Sequence, residues 1–498
     1  MKTCITIPND ISVLRSFIDD SLMIKDRDKV EHSILIGEII PTNEAFRIHI
    51  DELKLNIAVV GYIYDIMNTN FKIVEEAWEI GHSYLILDPC GYYTKLMNII
   101  PSVKIFRAGI DFAIPLFDPY PLDPEVYFNA LVKLMAVYLN LGHIEQRLLY
   151  SGLMELHEKV GSKAGIVDFL VTIQDIEESP TLTIQEYSKI DSLIRALAPM
   201  LRGRTAAAFS HKMPCHFSSL FNGLTVIDMS RIASNYRPLM AALLLLKGLY
   251  LGRECIVLID EAQSIFPYNE GNALHDLFSA IDKGRQNEVF LHISSGTIRA
   301  LSPNIISRIG TFIVHGTIDY YDLRLVQQVS RNVETDISVN EALFFSISGR
   351  IATVRIHRSL AQDYAVPSDE EIEAHMKALG IKLTKLEEVK QVKITLLERD
   401  FRDSANYVYM LLKASTEQVL TRGEAITLLT DKGVPSDIAS RLLDAIQALG
   451  YLREDYVSGR RVLLLTRKGS LAISEYEDKV KSVEAEKLLK DIRGDRNE

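Results

Sequence analysis

Residues 255–267, CIVLIDEAQSIFP, decide how the rest of the chain is read. Ile256, Val257, Leu258 and Ile259 form an unbroken apolar run, as a strand buried on both faces requires, and Asp260 and Glu261 follow at its carboxyl end. Ligands of open α/β sheets bind at that end of the strands. An acidic pair there matches the arrangement in which an Asp helps hold magnesium and a Glu orients the attacking water beside a bound triphosphate. The same pair also suits a plain helix start, where negative charge meets the helix dipole.

Working outward, the same kind of run recurs in NIAVVG (56–61), SYLILD (83–88), LTVIDM (224–229), EVFLHISS (288–295) and TFIVHG (311–316). NFKIVEEAWEIG (70–81) between the first two has helical spacing. Buried strands alternating with helices predict a parallel sheet covered on both faces, and hence an α/β fold. HSILIGEII (32–40) and AFRIHIDEL (45–53) alternate in places with period two, so residues 1–52 read as a short, reduced barrel-like β segment ahead of the core. The core spans 53–365, with a helical insertion at about 120–220 that includes EVYFNALVKLMAVYLNL (125–141). A polar stretch at 366–400 reads as a linker or connecting helix. Residues 401–475 give three helices and then two short strands around a turn, the order of a winged-helix domain, and 476–498 form a charged tail.

Composition sets outer limits on function. With 47% hydrophobic and 24% charged residues, the 498-residue chain is ordinary for a folded protein, and its length predicts two or three domains. A net charge of −11 excludes a surface coated in positive charge, while leaving room for a local basic strip that meets nucleic acid. Cys4, Cys90, Cys215 and Cys255 make no CxxC pair, so neither a zinc site nor a disulfide framework is expected. The first residues lack the apolar core of a signal peptide. The most apolar run, Leu239 to Gly252, is broken by Lys247 and is too short to span a bilayer. A cytoplasmic protein with no membrane insertion is the expectation.

Taken in order, VGYIYDIMN (60–68), YLILDPCGYY (84–93), LTVIDMSRI (224–232), IVLIDEAQSIFP (256–267) and DKGRQNEVFLHISSGTIRALSPNIISRIGTFIVHG (282–316) resemble the HerA group of the HerA/FtsK P-loop ATPase superfamily. The resemblance covers roughly residues 35–360 and implies a RecA-like core, with Asp260 and Glu261 as the Walker B pair and Asp260 as the magnesium ligand. It further implies a hexameric ring acting on DNA, and Arg285 and Arg308 near the subunit boundary as candidate arginine fingers. The plainer reading of both arginines is a surface or DNA-facing role. Arg202 and Arg204 face either a channel or solvent, and Asp88 in DPCGYY is most simply a turn residue.

The departures from that family carry as much information as the matches. Its phosphate loop has the form Gly-x-x-Gly-x-Gly-Lys-Ser/Thr, and the matching stretch here runs Gly61-Tyr62-Ile63-Tyr64-Asp65-Ile66-Met67-Asn68. Tyr64 and Ile66 replace glycines whose backbone freedom lets phosphate approach. Met67 brings no charge to the phosphates, Asn68 no hydroxyl to magnesium, and Asp65 adds a negative charge. Gly296 stands where the family usually has a glutamine after the sensor strand. The expectation is therefore a chain that does not hydrolyse ATP and has no cofactor, with ATP and magnesium entering only if the altered loop still binds nucleotide.

The C-terminal segment offers Arg441 on its third helix, and Arg453, Arg460, Arg461 and Arg467 on or beside the hairpin, as DNA contacts. So arranged, they suit phosphate contact by the wing better than base reading by the helix. Three functions follow. One is a non-hydrolysing motor-like subunit, in a homo-oligomeric ring or beside an active relative, that binds DNA or a partner such as a nuclease or a secretion apparatus. The others are an active translocase with an atypical loop, and a winged-helix regulator that oligomerises through an inert core.

Overall fold

The computed structural model describes residues 32–177, 184–201, 203–210, 216–269, 273–316, 322, 337–338, 341–386, 396–401, 404–457 and 460–477. Arg202, most of the charged tail and the centre of the linker lie outside the described residues. The chain divides into two units, residues 1–390 and 391–498.

In the first unit the strands are β1 (Ser33–Ile39), β2 (Ala45–His49), β3 (Ile57–Val60), β4 (Ser83–Asp88), β5 (Lys104–Arg107), β6 (Leu224–Asp228), β7 (Cys255–Ile259), β8 (Val289–Ser295), β9 (Thr311–His315), β10 (Ala342–Ser346) and β11 (Ile351–Ile356). Among the described residues they form one eleven-stranded sheet in the order β2-β1-β11-β10-β9-β3-β8-β7-β4-β6-β5. The seven strands from β9 to β5 are parallel, and the other four extend the sheet antiparallel. All residues of β3, β6 and β7 are buried, which is why those sequences are continuous Val/Ile/Leu runs without alternation. The two N-terminal strands are the outermost pair of this same sheet.

The helices that matter to the site are α1 (Ile63–Glu79), directly after β3, and α2 (Pro124–Leu139), α3 (His143–Val160), α4 (Ile166–Glu177) and α5 (Ile184–Leu197) of the helical insertion. They are followed by α6 (Arg237–Leu251), α7 (His275–Gly284) and α8 (Asp369–Ala378). α6 is nearly all apolar and buried along most of its length because it lies within the core rather than on its surface. Its one buried charge, Lys247, donates to the Asp118 and Tyr120 carbonyls and lies 4.6 Å from the centre of the Tyr127 ring. α8 opens with a capping box, Ser368 and Glu371 exchanging side-chain-to-backbone bonds.

Strand β5 is the parallel edge of the sheet, and α8 lies against it. His375 bonds the Val103 carbonyl at 2.8 Å, and the Met376 sulfur accepts from the Ile105 N–H at 3.2 Å. An edge strand covered in this way offers no free ladder to another chain. The clasp is electrostatic at its centre. Arg107, fully buried, meets Asp111 at 2.6 Å, Asp369 at 3.1 Å and Glu373 at 3.2 Å.

The second unit contains α9 (Ala405–Glu417), α10 (Arg422–Asp431), α11 (Ser436–Ala448) and an antiparallel hairpin of β12 (Leu452–Val457) and β13 (Arg460–Leu465). Leu420 adds a single bridge to Leu463. Its own core gathers Val408, Leu412, Leu429, Leu443, Ile446 and Tyr451.

Replacing Arg107 with Ala would leave the buried Asp111 carboxylate without a counter-charge and release α8. A loss of about 3–5 kcal/mol in urea unfolding is expected, with faster amide exchange in residues 369–378. Unchanged stability would show that the clasp contributes nothing.

Candidate functional site at the carboxyl edge of the sheet

Strands β3, β8, β7, β4 and β6 all point their carboxyl ends to one edge, where the sequence-predicted residues gather. β3 ends at Val60, and α1 begins at Ile63, so only Gly61 and Tyr62 join them. The helix therefore starts at the third position of the eight-residue pattern 61–68, and Tyr64, Asp65, Ile66, Met67 and Asn68 are helical. Gly61 has φ +155°, and a Cβ there would come within 2.6 Å of the His315 Cβ. Its missing side chain thus admits His315, whose ring bonds Thr69 Oγ1 at 2.9 Å. Burial pushes the His315 imidazole down to about 4, against the pull of Asp65, so the ring is neutral.

Met67 is buried in the core beside Ile66. The Asn68 amide donates to the His357 carbonyl at 3.1 Å and accepts from the Ser359 N–H at 2.8 Å. Two turns further along α1, the buried Glu75 carboxylate accepts from the Ser359 hydroxyl and the Ala361 N–H. Gln362 then bonds the Tyr64 carbonyl at 3.1 Å. The chain leaving β11 is thus strapped across α1 by polar contacts.

Asp88, Asp228 and Asp260 lie side by side at the ends of β4, β6 and β7, all buried. Asp88 accepts N–H bonds from Cys90 (3.0 Å), Gly91 (2.7 Å) and Tyr93 (2.7 Å), which shape the turn after β4. Burial, with Asp228 and Asp260 nearby, pushes its carboxyl well above the usual range despite those donors. Asp260 Oδ1 accepts from the Ser294 hydroxyl at 2.6 Å, while Oδ2 is buried with no hydrogen-bond partner among the described residues. Burial first, then the neighbouring Glu261 charge, raises Asp260 to about 6. Glu261 itself sits at φ +50°, a conformation costly for a residue with a Cβ, and meets the Cys90 thiol at 3.8 Å.

Other buried polar groups gather beside the Ser294–Asp260 bond. His292 Nε2 bonds Asn70 Oδ1 at 3.0 Å, and Asn70 Nδ2 donates to the Tyr93 hydroxyl at 2.7 Å. Burial drives His292 down to about 3, leaving it neutral with one N–H to donate. Four elements, α1, the turn after β4, β8 and β7, are tied together this way. The sequence pattern singled out none of Asn70, Tyr93, His292 or Ser294 as site residues. Their signal was polarity out of place: His292 and Ser294 interrupt an otherwise buried strand, and Asn70 lies on the buried face of α1.

Other sequence-predicted residues lie elsewhere. Arg285 and Arg308 precede β8 and β9 at the amino edge, opposite Asp260 and Glu261. Arg308 is held by Asp282 (2.8 and 2.6 Å) and stacks over Phe278, whereas Arg285 is exposed. Gly296 is exposed after β8 with open space around it. Arg204 lies half-buried in the short helix Gly203–Ala208. In the second unit Arg441 lies 3.8 Å from Asp437, Arg453 3.7 Å from Asp455, and Arg461 pairs with Glu454. Arg460 and Arg467 are exposed. A cavity of 320 Å³ opens at the amino ends of β4, β7 and β8, lined by Lys54, His82, Arg253, Glu254 and Glu288, well away from the carboxylate row.

No family model matches the chain. No curated protein matches its sequence. Among solved structures, VirB4 of Thermoanaerobacter pseudethanolicus is similar with a TM-score of 0.53 and 14% identity, over 66% of this chain and 98% of that one. The plasmid coupling protein TrwB, in complex with ADP and Mg2+, gives a TM-score of 0.46 and 14% identity, over 67% of this chain and 91% of that one. The VirB4 likeness and the strand order give the fold: an α/β core of the RecA-like P-loop type. At this level of identity the likeness extends to fold alone.

Because Asp260 is easier to protonate folded than unfolded, its contribution to stability is present in acid and lost as pH rises through about 6. Asp260→Asn keeps an acceptor for Ser294 without the buried charge. At pH 7 it should unfold at higher urea than the native chain, by on the order of 2–3 kcal/mol, with the gap closing near pH 4. A variant less stable at pH 7 would contradict this.

Proposed function

We propose that this chain is a non-hydrolysing member of a DNA-motor family, acting as a DNA- or partner-binding subunit. The observation that carries the reading is the junction between β3 and α1. A phosphate loop needs several residues of arched backbone before its helix, so that N–H groups converge on the phosphates. Here two residues precede the helix.

The residues present also fit magnesium and triphosphate poorly. Asn68 bonds the strap at His357 and Ser359, Met67 is buried without charge, and Asp260 bonds Ser294 from within the sheet. Neither Gly296 nor the paired Arg308 supplies a group that reads a γ-phosphate. An active translocase would need each of these arranged otherwise.

The second unit supports the binding half of the proposal, read as a winged helix. The outer face of α11 presents Asp437, Arg441 and Asp444, with both aspartates ion-paired, which suits protein contact better than base reading. The hairpin carries Arg453, Arg460 and Arg461 on exposed positions, where phosphate contact is the natural role. A homo-oligomeric ring, or assembly beside an active relative in a secretion or nuclease machine, belongs to the same proposal.

Two experiments test these halves. Steady-state ATP turnover, with and without DNA, should be indistinguishable between the native chain and Glu261→Gln; turnover abolished by that change would establish an active motor. Arg460→Glu with Arg461→Glu should weaken duplex binding at least about fivefold and flatten its salt dependence by roughly two counterions. Equal binding by the double variant would show that the wing does not contact DNA.

A further inference from the structure

The strap across α1 divides its side chains unusually. Ser359 and the backbone around it face inward onto Asn68 and Glu75, and Ala361 is buried, while Leu360, Tyr364 and Val366 face out. Leu360 is 65% exposed, Tyr364 45% and Val366 49%. Tyr62 and the first residues of α1 continue the same surface, with Tyr62 at 57%, Ile63 at 37% and Tyr64 at 68% exposed. The two sets adjoin: the Tyr62 and Tyr64 rings lie 5.5 Å apart, and Gln362, between Leu360 and Tyr364, bonds the Tyr64 carbonyl.

A tyrosine presents roughly 150–250 Å², so these six side chains expose apolar surface on the order of 600 Å². That is the upper end of the largest patch on an ordinary monomer, about 300–600 Å². Two copies pairing through it would remove about 1,200 Å² from water, the lower bound of a specific interface. The charges beside the patch select the occupant. Arg358 and Asp363, 71% and 57% exposed, pair with each other on the strap and give it one charge of each sign. A surface whose charges cancel in this way is complementary to itself across a two-fold axis, where Arg358 of one copy meets Asp363 of the other and the reverse.

We propose that a second copy of this chain covers the patch, in an isologous pair centred on Tyr64 and Leu360. This contact is distinct from head-to-tail packing around a ring and does not depend on whether nucleotide binds.

Sedimentation velocity on the full chain tests it. The native protein should show a concentration-dependent monomer–dimer equilibrium, which Tyr64→Ser with Leu360→Ser weakens at least about tenfold. Arg358→Asp and Asp363→Arg should each weaken self-association, because each sets like charges across the axis, while an equimolar mixture of the two should recover it. All four positions are exposed, and circular dichroism checks that the variants are folded. A monomer at every concentration would overturn the proposal, as would self-association unmoved by the serine variants.

Discussion

A carboxylate at the end of a buried strand has to be satisfied by something, and the answer at Asp260 organises the whole carboxyl edge. One oxygen takes the Ser294 hydroxyl, and beside that bond His292, Asn70 and Tyr93 are joined by hydrogen bonds of their own. Four pieces of chain distant in sequence meet in this cluster, and every link lies in low dielectric, where hydrogen bonds are strong and broken ones are costly. α1 is held at its second turn by the cluster, which lets it follow β3 after only two residues. Gly61 completes the arrangement by letting His315 close against the junction. One acceptor, Asp260 Oδ2, is left over among the described residues, and burial, then the neighbouring Glu261 charge, raises the Asp260 pKa and gives the acid-side stability.

The strap is the second consequence. Asn68 and Glu75 lie on one face of α1, seven residues apart, and both bond the chain leaving β11. That chain continues to α8, which closes the opposite edge of the sheet through Arg107. The residues around α1 therefore connect the antiparallel extension to the parallel edge. Asn68 is a structural anchor for that chain, while Tyr62 and Tyr64 nearby face outward.

Much of this was legible in the sequence, for physical reasons. Strands buried on both faces must be continuous apolar runs, so β3, β4, β6, β7, β8 and β9 could be read directly, together with the acidic ends of β7. The three helices and hairpin of the second unit followed from periodicity and turn residues. Strand β5 was not seen because four residues, KIFR, carry too little pattern. Nor were β10 and β11, whose pairing is antiparallel and whose outer strand is half-exposed. At the site, the altered residues of 61–68 were visible, but their register was not. A pattern aligned to a loop cannot reveal that the helix has already begun. The cluster was hidden for a related reason: Asn70, Tyr93 and Ser294 gain meaning only when the fold sets them side by side.

A β3–α1 junction of two residues leaves no arched loop for a triphosphate under the proposed function. Thermal unfolding of the full chain against increasing ATP with magnesium measures this directly, because a ligand that binds only the folded state raises the melting temperature as its concentration exceeds its Kd. The melting temperature should stay flat into the millimolar range, at roughly 1 mM ATP and above. A rise of several degrees that saturates with ATP and disappears without magnesium would contradict it.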